Sequence, residues 1–196
     1  MVRATIAGVS TVALQTLRGS AARRGWARAS EPALVRAAQR GSAEAFAELF
    51  RRHWPRAHRA AWLVVHDATA AEDVAQEAFL AAVRSLHRFD RRRPFGPWLH
   101  RIVVNRAIDY ARARELRREV SGATAESPTF DARDAPADDL LAALAALPPD
   151  QRAVIVMRHL LGFTPGEIAR ALGLPRGTVN SRLRRGLDGL QEVVER

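Results

Sequence analysis

The stretch from Thr164 to Leu190, TPGEIARALGLPRGTVNSRLRRGLDGL, decides the fold of the C-terminal part of the chain. It has the pattern of a helix, a tight turn and a second helix. Thr164 suits the cap of the first helix, and Glu167 stands at the reciprocal position of a capping box. Gly173 should end that helix and Pro175 should start the next one. The sequence therefore predicts a helical hairpin.

The second helix of this hairpin has an apolar and a polar side. Val179, Leu183 and Leu187 stand four residues apart and should share one buried face. The polar residues left to face elsewhere are Arg176, Thr178, Asn180, Ser181, Arg182, Arg184 and Arg185. A short helix that presents arginine, asparagine and serine suits the DNA major groove. The alternative is a capped hairpin whose arginines are only solvated.

The overall charge favours a polyanionic partner. The formal net charge is +10 and the isoelectric point is about 11.5, which indicates nucleic acid or an anionic membrane surface. All the basic residues are arginine and alanine is abundant, a pattern typical of GC-rich coding. The positions of the arginines are therefore more informative than their number.

Cysteine usage and hydropathy indicate a soluble, cytoplasmic chain. The absence of cysteine excludes disulfides and thiolate metal sites and permits a reducing compartment. The apolar run from Ala4 to Leu14 is shorter than the roughly 20 residues that a membrane span needs. No convincing signal-peptide cleavage site follows it, so we expect no membrane insertion.

The apolar periodicity predicts an all-α fold with two small helical domains joined by a flexible linker, the C-terminal one with a helix-turn-helix. Residues 1–29 carry five arginines and no acid, which predicts a disordered basic extension. Residues 30–118 form the first helical domain, 119–139 an acidic linker, and 140–196 the second domain. No strand pattern is present.

Three local features of the helices carry specific expectations. Pro55 should kink or end a helix near Trp54, because proline cannot donate the helical hydrogen bond. Thr69 and Glu72 have the spacing of a capping box. The six histidines are scattered along the helices and should lie at the surface or its boundary.

The sequence offers little support for catalysis. The histidines lack metal-ligand spacing, and neither a glycine-rich phosphate loop nor a nucleophile elbow occurs. We therefore predict no catalytic residue, no metal and no cofactor. An enzyme that acts on nucleic acid stays open as an alternative, although it lacks a plausible acid–base set.

An acidic face stands out on this basic protein. Asp73, Gln76, Glu77 and Leu80 share one side of a helix. One interpretation is a solvated face that benefits from the helix dipole. The other is a docking surface for a partner protein with basic residues.

A basic segment with aromatic residues runs from Phe89 to Glu119. It holds nine arginines against four acidic residues, with Trp98 and Tyr110 among them. Arginine attracts phosphate without regard to sequence, and aromatic rings stack on unpaired bases. This favours nucleic-acid binding, although Trp98 also fits the core of an amphipathic helix.

The order of these features resembles a known family. AEDVAQEAFLAAVRSLHRFD and RRRPFGPWLHRIVVNRAIDYARARE come first. An acidic linker follows, and then ALPPDQRAVIVMRHLLGFTPGEIARALGLPRGTVNSRLRRGLDGL. Over about residues 31–194, the chain closely resembles the extracytoplasmic-function group of bacterial sigma-70 initiation factors.

The resemblance implies a factor without catalytic activity that binds core RNA polymerase, directs it to promoter DNA and helps melt the DNA. The expected polymerase contacts are Asp73, Gln76, Glu77 and Leu80. The first domain then corresponds to sigma region 2, and its expected contacts with the minus-10 element are Arg91, Arg92, Trp98, Arg101 and Asn105. The second corresponds to sigma region 4, whose helix Arg176–Arg185 is expected to read the minus-35 element.

The family pattern leaves some points open. Asn180 stands where the family often has lysine or arginine, which changes the expected promoter preference. An anti-sigma protein is a further partner that the family allows. The alternative function is a stand-alone helix-turn-helix regulator that binds a palindromic site as a dimer.

Overall fold

The structure is a computed structural model that describes residues 23–121 and 135–194, with side chains for residues 25–120 and 139–192. Every regular element in these ranges is helical and none is a strand, which confirms the all-α prediction. Among the described helices, none is both long and apolar enough to cross a membrane.

The helices form two groups along the chain. The first group is α1 (Arg23–Trp26), α2 (Glu31–Gln39), α3 (Ala43–Val65), α4 (Ala68–Ser85), a 3-10 turn (Leu86–Arg88) and α5 (Phe95–Ser121). The second group is α6 (Ala135–Ala146), α7 (Pro149–Ile155), a π-helical turn (Val156–Leu160), α8 (Pro165–Leu172) and α9 (Arg176–Val194). We call these groups the first and the second unit.

The first unit is built on the mutual packing of α3, α4 and α5. Leu49 of α3, Phe79 of α4 and Leu99 of α5 are all completely buried in the resulting core. The rings of Phe50 and Phe79 lie with their centroids 4.6 Å apart, which ties α3 to α4. The apolar stripes of three long helices therefore face one another, as the periodicity predicts.

The sequence predicts that Pro55 kinks or ends its helix. The helix does not end there, since α3 continues from Ala43 to Val65. Proline removes one hydrogen bond and costs about 3 kcal/mol in a helix interior. Buried residues lie on both sides of it, with Leu49 before and Ala57 after. Tertiary packing therefore holds the helix together across the proline.

The predicted capping box at Thr69 is also wrong. Helix α4 begins at Ala68, and Asp67 Oδ1 accepts a hydrogen bond from the backbone N–H of Ala70 at 2.9 Å. His66 ends α3 in the left-handed conformation with φ of 52°. Because α3 ends at His66, Asp67 directly precedes α4 and occupies its N-cap position. Thr69 therefore falls inside the helix.

The ends of the predicted extension and linker are helical. Helix α1 falls within residues 1–29, and Arg52 Nη2 donates to the carbonyls of Trp26 at 3.2 Å and Ala27 at 2.9 Å. Residues 119–121 continue α5, and residues 135–139 belong to α6. The prediction of disorder or loop is therefore wrong for these parts, while residues 1–22 and 122–134 lie outside the described ranges.

The second unit contains the predicted hairpin as α8 and α9. Thr164 Oγ1 accepts from the Glu167 backbone, and Glu167 Oε2 accepts from the Thr164 backbone at 2.8 Å, which confirms the capping box. Gly173 ends α8 with φ of 66°. On α9, Val179 is buried but Leu187 is 43% exposed, because residues four apart drift around a helix of 3.6 residues per turn.

The two units pack against each other, with α7 lying on α3 and α5. A carboxylate oxygen of Asp150 in α7 lies 2.6 Å from Arg112 Nη2 in α5. Buried residues of the two units belong to one continuous hydrophobic cluster. This packed arrangement sets which predicted contact residues are accessible.

Candidate nucleic-acid and protein interfaces

Helix α9 presents a row of exposed polar residues at its N-terminal half. Arg176, Asn180, Arg184 and Arg185 are all exposed, whereas Thr178 and Ser181 are half-buried. Ser181 Oγ donates to the carbonyl of Thr178 at 3.0 Å, so its hydroxyl is already used within the helix. The exposed residues stand on one straight helix and can reach base edges and phosphates of the same groove.

Arg182 differs from its neighbours on α9. Its Nη2 lies 3.0 Å from Asp150 Oδ2, and its side chain is only 19% exposed. Since the other oxygen of Asp150 pairs with Arg112, one carboxylate joins α5 and α9. Sequence reasoning missed this cluster, because nothing in the local pattern brings residues from such distant parts of the chain together.

The loop before α5 places two predicted phosphate contacts in solvent. Arg91 and Arg92 are exposed, and the backbone N–H of Arg92 donates to Asp90 Oδ1 at 3.0 Å. This short-range bond orders the loop as it approaches α5. Arg101 is exposed in the second turn of α5, so the predicted basic surface continues from the loop onto the helix.

Trp98 is shared between the core and the surface. It is half-buried, and its ring centroid lies 4.7 Å from that of Phe89 and 5.4 Å from that of Phe95. The core interpretation therefore accounts for part of the indole ring, and the accessible part remains available for stacking. Asn105 is half-buried, with Nδ2 3.5 Å from the carbonyl of Ala171 in α8.

Glu31 positions the start of α5 from a distant part of the chain. One carboxylate oxygen accepts from the backbone N–H of Phe95 at 3.0 Å, and the other lies 2.9 Å from His53 Nε2. An acidic side chain satisfies an otherwise unpaired N–H at a helix N-terminus. No local pattern indicates this role, since Glu31 stands in the first turn of its own helix.

The acidic face of α4 has the predicted exposure. Asp73 and Glu77 are exposed, and Gln76 and Leu80 are half-buried. Glu77 Oε2 lies 3.1 Å from Arg106 Nη1 of α5. The four residues lie on one side of the helix, so this surface offers two carboxylates beside an apolar contact.

The prediction that all histidines lie at the surface or its boundary is wrong for His66 and His100, which are buried. Burial, the larger cause, and nearby positive charge lower the pKa of each histidine to about 4. The positive charge is that of Arg152 for His66, and mainly that of His53 for His100. Helical periodicity treats histidine as polar, whereas His66 lies at the junction of α3 and α4, and the ring of His100 lies 6.2 Å from that of His53 on α3.

The described residues include no group of three histidine, cysteine, aspartate or glutamate side chains that could hold a metal ion. The side chains predicted to contact partners are charged, amide, hydroxyl, aromatic and aliphatic groups, all of them exposed or half-buried.

Comparisons with known proteins agree with this arrangement. Residues 49–117 match Sigma-70 region 2, and residues 137–188 match Sigma-70, region 4. The chain is 37% identical to the ECF RNA polymerase sigma factor SigM of Mycobacterium tuberculosis, over 84% of this chain and 85% of that protein. It is 32% identical to the ECF RNA polymerase sigma-E factor of Escherichia coli, over 85% of this chain and 95% of that protein.

Two solved structures are similar to this one over about four fifths of the chain. The sigma factor RpoE in complex with the anti-sigma factor NepR from Bartonella quintana gives a TM-score of 0.64 at 26% identity, over 76% of this chain and 96% of that one. CnrH in complex with the cytosolic domain of CnrY gives a TM-score of 0.60 at 29% identity, over 84% of this chain and 97% of that one.

Proposed function

The chain belongs to the extracytoplasmic-function group of the sigma-70 family of initiation factors, and from this premise we propose which surface meets which partner. It is a promoter-specificity factor that binds core RNA polymerase, recognises minus-35 and minus-10 promoter elements and assists DNA melting. The observation that carries the assignment of surfaces is the separation of an acidic face on α4 from an exposed arginine-rich face on α9.

Core polymerase binds the face formed by Asp73, Gln76, Glu77 and Leu80. A chain with a net charge of +10 gains nothing for DNA binding from exposed carboxylates. Beside a half-buried leucine, the same carboxylates suit a protein surface with basic residues. The support for this assignment is exposure, charge and correspondence with region 2.

The minus-10 element is held by Arg91, Arg92, Trp98, Arg101 and Asn105. The exposed arginines supply phosphate contacts on the loop and the first turns of α5. The accessible part of Trp98 supplies a stacking surface for a base that has left the duplex. Region 2 spans all five positions.

The minus-35 element is read by α9 through Arg176, Thr178, Asn180, Ser181, Arg182, Arg184 and Arg185. Asn180 and Arg184 are exposed one turn apart, so both face the same stretch of groove. Asparagine pairs with adenine and arginine with guanine in the major groove. Arg182 contributes only after its ion pair with Asp150 opens.

The remaining assignments follow from the same family. The factor has no catalytic activity of its own and acts in the cytoplasm, where the polymerase works. Residues 30–118 form the region 2 domain and residues 140–196 the region 4 domain. Both solved relatives are held in complexes, one of them with a protein named as an anti-sigma factor, and we extend such a regulatory partner to this chain.

The test uses the full chain mixed with core polymerase. We expect co-elution and a transcript that depends on a matching promoter. An Asp73→Ala, Gln76→Ala double variant should bind polymerase less tightly while its helical content is unchanged. Asp188→Ala, an exposed acid of α9, is the matched control and should bind normally.

Absence of both co-elution and a promoter-dependent transcript would overturn the function. Unchanged polymerase binding by the double variant would overturn the docking face alone. Tight, sequence-specific duplex binding by a dimer without polymerase would instead support a stand-alone regulator.

A further inference from the structure

A cavity of about 120 Å³ lies where the two units meet. Its polar walls are His66 at the end of α3, Arg114, Glu115 and Arg118 of α5, and Arg152 of α7. A valine and two alanines complete the lining. The cavity is therefore small, bordered by both units, partly open to solvent and rich in positive charge.

Arg152 is the unusual member of this group. It is only 7% exposed, and its Nε has no hydrogen-bond partner among the described residues. Arg152 forms no ion pair with a carboxylate of the described residues, and the charge of Glu115 acts on Arg152 only at longer range. A buried guanidinium N–H without a hydrogen-bond partner is costly unless a ligand or water satisfies it.

His66 adds a second unsatisfied group to the same wall. It is 9% exposed, and neither ring nitrogen makes a well-formed hydrogen bond in the described chain, although the backbone of Leu63 is near enough to raise its pKa slightly. Because burial holds its pKa at about 4, the imidazole is neutral near pH 7 and carries one N–H donor. Two buried donors at one place therefore lack a well-formed hydrogen bond.

The charges around the cavity do not cancel. Arg114 is paired with Asp67, with 3.4 Å between Nη1 and Oδ2. Glu115 offers one more carboxylate against Arg118 and Arg152. Counted over the lining residues and the ion-pair partner Asp67, three guanidiniums face two carboxylates, which leaves one positive charge that a bound anion would neutralise.

The volume restricts the ligand. Water occupies about 30 Å³ per molecule in the liquid, so the cavity is several waters in size. Pockets for drug-sized ligands start at about 300 Å³. We propose that this cavity binds a small oxyanion of the phosphate class, with Arg152, Arg118 and His66 as its donors.

The position of the cavity gives the ligand a structural effect. Its donors belong to α3 and α5 of the first unit and to α7 of the second. An oxyanion held by both units stabilises the packed arrangement by mass action and opposes their separation. This inference goes beyond promoter recognition and does not depend on it.

The competing explanation is a water-filled cavity in which Glu115 serves as counter-ion to Arg152. Glu115 is exposed as a whole residue, although it lines the cavity. Partial burial is the largest cause that raises the pKa of its carboxyl group. The two explanations differ in sign for Glu115→Gln. Under our proposal, removing this charge strengthens oxyanion binding. Under the competing explanation, it only lowers the stability of the folded chain, because Arg152 loses its counter-ion.

The experiment titrates inorganic phosphate into the full chain by calorimetry, with sodium chloride at matched ionic strength as the reference. We expect saturable binding of one phosphate per chain and a rise in melting temperature with phosphate only. Arg152→Gln should weaken binding by about tenfold or more, as expected for a lost charged hydrogen bond. Glu115→Gln should tighten it.

Arg117→Gln is the matched control, since Arg117 is exposed on the same helix and does not line the cavity. It should bind phosphate as the parent chain does. If Arg152→Gln fails to fold, Arg118→Gln takes its place, because this half-buried arginine lines the same cavity. A competition experiment adds glycerol phosphate to the phosphate-bound chain. Displacement of inorganic phosphate would show that the cavity binds a phosphate monoester as well as free phosphate.

Absence of saturable phosphate binding by the parent chain would overturn the proposal. Equal losses of binding in the cavity variant and in Arg117→Gln would overturn it as well, since they would indicate a diffuse charge effect. Because no polymerase or promoter is present, these outcomes leave the proposed function untouched.

Discussion

Asp150 receives an ion pair from each unit. Arg112 of α5 contacts one carboxylate oxygen at 2.6 Å, and Arg182 of α9 contacts the other at 3.0 Å. A guanidinium that already binds a carboxylate is less available to a DNA phosphate. In the packed arrangement, the reading face of α9 therefore consists mainly of Asn180 and the exposed arginines around it.

The buried histidines make the fold sensitive to acid. The pKa of His66 and of His100 is about 4 in the folded chain, below the usual 6.5. The unfolded chain therefore binds protons that the folded chain does not, so stability is complete above pH 6.5 and falls between pH 6.5 and 4. We expect a loss on the order of 3 kcal/mol per histidine across this window.

Denaturant unfolding of the full chain at several pH values measures this loss. His66→Gln and His100→Gln should each flatten the pH profile in this window, although both variants are less stable at pH 7. His87→Gln, at an exposed position, is the control. A parental profile without a slope between pH 6.5 and 4 would contradict the burial of both rings.

Asn180 is expected to read a base, whereas Arg185 is expected to hold a phosphate. Asn180→Ala should reduce discrimination at one minus-35 position by about 1–3 kcal/mol. Arg185→Ala should weaken binding to all sequences and lower the salt dependence by about one counterion. Salt-dependent binding of holoenzyme to promoter variants measures both, and a uniform loss with Asn180→Ala would refute the base contact.

At the scale of helices, the close approach of α9 to α7 depends on Gly186. A methyl group at this position would lie 2.6 Å from Cδ1 of Ile155, which is itself buried. At Gly177 on the same helix, a methyl group would meet no atom within 4 Å. Gly177 and Gly186, two of the three glycines of α9, therefore have opposite expected responses to alanine.

Gly186→Ala should destabilise the folded chain by about 1 kcal/mol. Overpacking costs about 1–3 kcal/mol, and the higher helix propensity of alanine offsets about 1 kcal/mol of this cost. Gly177→Ala should be neutral or stabilising, since only the propensity gain applies. Adding Ile155→Val should recover part of the loss from Gly186→Ala, as a favourable coupling energy in a double-mutant cycle. Additive losses would contradict the contact.

The elements that sequence alone predicts are those fixed by neighbouring residues. The α8–α9 hairpin is of this kind, since the cap at Thr164 and the turn at Gly173 depend on residues a few positions away. Pro55 and Thr69 were mispredicted because distant packing and the reversal at His66 outweigh the local preference. Local rules therefore fail where packing against distant residues, or the end of the preceding helix, outweighs the local preference.

At the scale of the whole molecule, the sequence predicts which residues are exposed better than it predicts how the two units pack together. The exposure of Asp73, Glu77 and Arg101 agrees with their predicted faces, because apolar periodicity separates buried from exposed sides. The placement of Arg152 beside His66 was missed, since these residues come from different units. No local pattern indicates which helices of separate units will touch.

The packed arrangement should loosen when the carboxylate of Asp150 is removed. Asp150→Asn loses both ion pairs, each worth about 0–1 kcal/mol at such partly exposed positions, and releases Arg182. We expect a larger radius of gyration by small-angle scattering and tighter binding to duplex DNA. Asp139→Asn, an exposed acid on α6, is the control and should change neither.

The central claim is that two surfaces of one chain hold two different promoter elements. Photo-crosslinkers placed at Asn180 and at Arg101 of the holoenzyme test it directly on a promoter complex. We expect the Asn180 position to crosslink to the minus-35 duplex and the Arg101 position to the minus-10 region. Crosslinks from both positions to the same element, or none from Arg101 to DNA, would contradict it.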